Sequence, residues 1–134
     1  MLSRFSSRRH FSDLSEQEVL ALAISNEEDD ARIYRSFAAR LREEFPASAA
    51  VFDGMAAEEE THRSRLVETF RARFGEVIPL IRREHVAGYY ARRPVWLVET
   101  LGLERIRQEA ARMEADARRF YEAAAARATD PGTR

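Results

Sequence analysis

Phe52-Asp53-Gly54-Met55-Ala56-Ala57-Glu58-Glu59-Glu60-Thr61-His62-Arg63-Ser64-Arg65-Leu66 is the stretch that decides how this chain folds. It is dominated by strong helix formers. On a helix, residues three and four apart share a face, so Phe52, Met55, Glu59, His62 and Leu66 fall on one line. Ala49 extends the line upstream, and Thr69 or Phe70 downstream. Two polar residues in successive turns therefore interrupt an apolar stripe. A carboxylate and an imidazole three residues apart can grip one ion together. A Glu-x-x-His pair in a Glu-rich helix also serves as an ordinary surface pair, so the residues around it carry the weight.

The preceding helix starts near Ser12 or Ser15; Ser15 with Glu18 three residues on forms a capping box. It runs to about Glu44, stopped by Pro46. Its apolar line is Leu20, Ile24, Ala31, Tyr34, Ala38 and Leu41, and Glu27 stands in the middle. An acid there costs several kcal/mol of desolvation unless something pairs with it. Glu28, Asp29 and Asp30 fall toward the flanks and the wet face.

The second helix begins at Pro46, a good first-turn residue, and ends at about Phe74 before Gly75. Glu58 and Glu60 are offset from its apolar line by about 100° each and face solvent. Residues 75–94, with Pro79, Gly88 and Pro94, read as a crossover with one short helix over roughly Leu80 to Tyr90. A third helix, preceded by a turn at Val95–Leu101, starts near Leu103 and reaches about Ala128. Its line is Ile106, Ala110, Met113, Ala117, Phe120 or Tyr121, and Ala124, with Glu114 beside Met113. Glu27 is followed seven residues later by Tyr34, and Glu114 by Tyr121, a weak echo between two helical hairpins.

The 134 residues suit one domain with a single core. Residues 1–12 read as a basic flexible arm and 13–134 as the helical domain. Charges of both signs are interleaved, 22 basic against 23 acidic, so no stripe suits a nucleic acid. The chain has no cysteine, which excludes disulfides, thiolate metal sites and a four-cysteine iron centre. No apolar run approaches the roughly 20 residues of a membrane span. The arm lacks the apolar segment of a secretory signal, and the expectation is a cytoplasmic protein. His10 and His85 read as surface residues and Trp96 as a packing anchor.

Glu27-x-x-x-Ala31-Arg32-x-Tyr34 and Glu58-Glu59-Glu60-Thr61-His62-x-x-x-Leu66 together resemble the rubrerythrin branch of the ferritin-like superfamily. More narrowly, Leu22-Ala-Ile-x-x-Glu-Glu-Asp-x-x-Arg-Ile-Tyr34 is similar to the ferritin-like domain of the erythrin–vacuolar iron transporter family, the membrane-bound ferritins. So are Ile78-Pro-Leu-Ile-Arg-Arg-x-x-Val86 and Arg93-Pro-Val-Trp-Leu97. The likeness covers about residues 13 to 133. It implies an all-α ferritin-like bundle, here with three main helices, a long crossover and the fourth helix missing. It implies Glu27 as a terminal carboxylate, Glu59 as a bridge between two metals, His62 as a ligand to one of them, and Glu114 as the counterpart of Glu27. The family's second Glu-x-x-His does not follow Glu114, so four of about six ligands are present. The expectation is a piece of a longer protein or a divergent member. Such relatives carry a membrane transporter domain at whose cytoplasmic face this one would sit.

Either a second copy pairs across a two-fold axis, each copy giving Glu27, Glu59 and His62, or the fourth helix is missing and a neighbouring chain covers the open groove. A homodimer or higher oligomer is expected either way. Carboxylate and imidazole suit iron, Fe(II) and Fe(III), with Mn(II) or Zn(II) in its place; no organic cofactor is implied. Tyr34 and Tyr121 are either hydrogen-bond donors to the site glutamates or packed aromatics. Three functions remain open. The domain oxidises or senses Fe(II) for transport or storage, as a ferroxidase does; it reduces peroxide with electrons from an external donor; or it is a helical assembly module without metal.

Overall fold

The computed structural model describes residues 9–87 and 102–127. Three long helices make up most of it: α1 (Glu16–Leu41), α2 (Pro46–Phe74) and α3 (Leu103–Arg127). Short strands β1 (Arg9–His10) and β2 (Val86–Ala87) form one parallel pair, with Arg9 opposite Val86 and His10 opposite Ala87. Among the described residues no helix is long and apolar enough to cross a membrane.

The helix boundaries follow local chemistry. Ser15 Oγ accepts from the Glu18 amide at 3.1 Å while the Ser15 amide donates to Glu18 Oε1 at 3.0 Å, closing the capping box. α1 ends at Leu41, earlier than Glu44, because residues 42–44 turn to bring Pro46 to the first position of α2. Gly75, at φ 97°, ends α2 in a backbone conformation that side chains disfavour. Its amide bonds to the Arg71 carbonyl at 3.2 Å.

Packing sets the helix directions. Tyr34, Phe37, Ala38 and Leu41 of α1 meet Ala49 and Phe52 of α2 and Ile106, Ala110 and Met113 of α3 in one buried cluster. Phe37 and Phe52 sit edge to face at 5.4 Å, and Tyr34 stacks on Phe52 at 6.2 Å. At the other end Leu20, Ala21 and Ile24 meet Phe70, while Leu14, Val19, Leu22 and Ala23 meet Phe120 and Val86. α1 and α2 are thus antiparallel, and α3 runs alongside α2's direction. α2 spans about 43 Å at the helical rise, a distance the crossover must recover before α3 begins.

α1 is central, so from Val19 to Glu27 every residue is buried, well beyond the single stripe its periodicity gives. The additional cover comes from the crossover. Ser25 Oγ donates to the Ile81 carbonyl at 2.9 Å, and buried Arg83 donates from Nη2 to the Asn26 carbonyl at 3.0 Å and to Asp30 Oδ1 at 3.1 Å. Arg82 reaches Asp29 Oδ1 at 3.3 Å. This corrects two expectations. Asp29 and Asp30 are buried ion-pair partners and not wet-face acids. The described part of Leu80–Tyr90 holds no α-helix: Pro79 and the docking of Ile81 keep it extended as far as a single 3-10 turn at Arg83–His85. Residues 88–90, Trp96 and the Val95–Leu101 turn lie outside the described residues.

The end of the basic arm is docked. Phe11 packs edge to face on Phe120 at 5.8 Å, and the Arg127 guanidinium lies 5.4 Å from the Phe11 ring while donating to the carbonyls of Phe11 and Leu14. The architecture is the all-α, three-helix ferritin-like bundle expected from the sequence.

Candidate metal centre

Between the two apolar ends of the bundle lies a layer of acids. Glu27 stands at mid-length on α1, and Glu59 and His62 face it from α2 one turn apart. Antiparallel packing produces this, since Tyr34–Phe52 below and Ile24–Phe70 above fix the register of the two helices. His62 Nδ1 is 3.8 Å from Glu27 Oε2 and 3.9 Å from Glu59 Oε1. One ligand atom from each of the three lies within 4.8 Å of the others. Two ligands of one ion, each at about 2.1 Å from it, are at most about 4.2 Å apart, so small side-chain adjustments suffice to close the set.

The environments of the three differ. The Glu27 side chain is 5% exposed, that of Glu59 20% and that of His62 49%. Tyr121 reaches across from α3 and donates its hydroxyl to Glu27 Oε1. Glu27 Oε2 is buried and without a hydrogen-bond partner. Burial first, then the neighbouring Glu27 carboxylate, then the charges of Asp30 and Glu114 push the Glu59 carboxyl up to about 9. A buried carboxylate oxygen facing a second carboxyl that burial and like charge disfavour as an anion is an arrangement that positive charge would relieve.

Glu114 is exposed on α3, at the rim of a cavity of about 380 Å³ that also contains Glu27, Glu59, His62 and Asp30. It contributes charge there but is not one of the three converging residues. The helix line shows why: Met113 and Asp116 take the buried positions of α3, leaving Glu114 to the side. Tyr34 is fully buried in the aromatic cluster, whereas Tyr121 is the donor to Glu27. Sequence reasoning missed Asp30, one turn from Glu27 and held by Arg83; the Asp-Asp pair beside two arginines in the crossover was the available signal.

Antiparallel helices around an inward acid and histidine layer define the ferritin-like class. A sequence model described as Rubrerythrin matches residues 18–134, and the chain belongs to that family. No curated protein and no solved structure matches the chain.

Proposed function

We propose that this chain is an iron-binding domain in which Glu27, Glu59 and His62 hold Fe(II), with Glu114 as a further carboxylate at the rim on α3, and that it oxidises or senses Fe(II) for iron transport or storage. The observation that carries this reading is the Glu27 carboxylate: nearly fully buried, one oxygen held by Tyr121, the other unpartnered and turned toward His62 and Glu59. A buried anion in that state is costly, and a divalent cation removes the cost for Glu27 and Glu59 at once. Oxygen and imidazole donors without thiolate suit iron, with manganese or zinc as substitutes.

When bound, iron supplies one-electron chemistry toward O2 or peroxide. The chain's own parts prepare for that. Tyr121 fixes the orientation of Glu27, as the outer partners of metal ligands do. Glu59 gives up its proton as the cation arrives. Arg83 neutralises Asp30, so that the centre does not carry a further unpaired charge. His62, on the open side, completes the set. A second copy related by a two-fold axis supplies the ligands needed for a two-metal centre. By our reading the runs Leu22–Tyr34 and Ile78–Val86 put the domain nearest the membrane-bound ferritin branch, acting on the cytoplasmic side.

Anaerobic Fe(II) titration of the wild type, Glu59→Ala and His62→Ala tests this. Loss of binding in both variants is expected; equal binding by all three chains sinks the reading. Membership of the rubrerythrin family favours a second reading, peroxide reduction. With no cysteine in the chain, that activity requires an external electron donor. Sustained peroxide turnover with such a donor selects it, and a single round of oxidation with retained iron selects iron handling.

A further inference from the structure

At the end of the bundle where α1 begins, Val19, Leu20, Ala23, Leu66, Phe120 and Ala124 line a partly open, mainly apolar pocket of about 330 Å³. The charged groups at its edge are engaged elsewhere: Glu16 with Arg73 at 3.0 Å, and Arg127 with the carbonyls of Phe11 and Leu14. The Tyr121 hydroxyl is committed to Glu27. A polar ligand would lose its water shell there without compensation. An apolar one would not, and an apolar protein cavity of about 150 Å³ already takes up benzene or xenon.

Tyr121 and Leu66 line this cavity and also a smaller one, about 240 Å³, that contains Glu27 and His62. Tyr121 also borders the acidic cavity itself. The apolar chamber and the acidic centre are therefore neighbours with the Tyr121 ring as their common wall. We propose that the chamber is a binding site for a small, uncharged, apolar molecule, O2 in this setting, and that it delivers O2 to the centre past Tyr121. The role of O2 rests on the iron reading; binding in the chamber does not. In the reaction served, two Fe(II) give one electron each, and O2 takes both electrons and two protons to leave as H2O2.

The test is xenon titration of the metal-free full chain, followed by 129Xe and methyl NMR. Saturable shifts at Val19, Leu20 and Leu66 are expected in the wild type. They should vanish in Ala124→Phe, with Ala125→Leu as a milder filling variant should the first not fold. Absence of saturable xenon binding in the wild type overturns the proposal, including the case in which a second copy plugs the chamber. In stopped-flow oxidation of the Fe(II)-loaded protein, the filled variant should need about tenfold more O2 for half-maximal rate, with anaerobic Fe(II) affinity within about twofold of wild type. An unchanged O2 dependence overturns the delivery role. Failure of the wild type to bind Fe(II) at all removes the iron reading and with it delivery of O2, while the xenon result alone decides the chamber.

Discussion

Tyr121, near the end of α3, donates its hydroxyl to Glu27, 94 residues earlier in the middle of α1. Through this bond the third helix grips the acidic layer, and it fixes one oxygen of the most buried of the three converging residues. Tyr121→Phe keeps the ring and removes the donor. We expect roughly tenfold weaker metal binding, at the low end of what losing an outer hydrogen bond to a ligand costs. The apo protein should also lose roughly 1–3 kcal/mol, since a buried Glu27 oxygen is left without its donor. Calorimetric titration with Mn(II) alongside thermal melts separates the two effects.

The Glu59 carboxyl, raised to about 9 by burial and then by Glu27, gives the apo fold a pH dependence of definite sign. Between about 4.5 and 9 the folded chain keeps a proton that the unfolded chain has lost. Stability is therefore greatest on the acid side of that window and falls as pH rises through it. Melting temperature measured from pH 5.5 to 9 should decline, and Glu59→Gln should flatten that decline. A profile that rises toward pH 9 would contradict the assignment. At pH 7 a bound cation displaces the same proton, so titrations in buffers of different ionisation enthalpy should report its release.

Glu27→Leu replaces a buried acid on an apolar line with a side chain that suits it. The apo protein should gain roughly 1–2 kcal/mol, as when buried charges give way to apolar residues. The same variant should lose metal binding. Denaturant midpoints with and without metal check both halves, and a destabilised apo variant would mean that the Tyr121 bond outweighs desolvation.

Metal should stabilise the wild type by mass action, about 2.7 kcal/mol at a hundredfold excess over Kd. Glu59→Ala and His62→Ala should show no such rise, and a chelator should return the wild-type melt to its apo position. Differential scanning calorimetry with Mn(II) or Zn(II), free of oxidation, is the cleanest measurement.

Arg83 is 4% exposed and bonds to Asp30 and the Asn26 carbonyl. Removing one partner of such a pair leaves a buried charge, so Arg83→Met should cost about 3–5 kcal/mol. The double variant Arg83→Met, Asp30→Leu should recover much of that loss. Non-additivity in a denaturation cycle measures the coupling.

Much of this was legible in the chain because it is local. The Ser15–Glu18 box, Pro46 and Gly75 mark helix ends by chemistry confined to a few residues, and the Glu59–His62 line follows from helical spacing. What periodicity does not carry is contact between distant segments. Asp29 and Asp30 looked solvated because their partners, Arg82 and Arg83, lie 53 residues on. The crossover departs from the expected short helix for the same reason: its backbone is held by Ser25 across the fold and not by its own residues. Glu114 paired with Met113 in sequence, and only the packing of α3 decided which of the two turned inward.

The strap formed by residues 81–83 gives the centre an asymmetry. By clasping α1 at Ser25, Asn26 and Asp30, it stiffens that helix on both sides of Glu27, whereas His62 on α2 has half its surface in solvent. On the iron reading proposed above, the site is a vice with one fixed jaw, and an ion of a different radius would be accommodated from the α2 side.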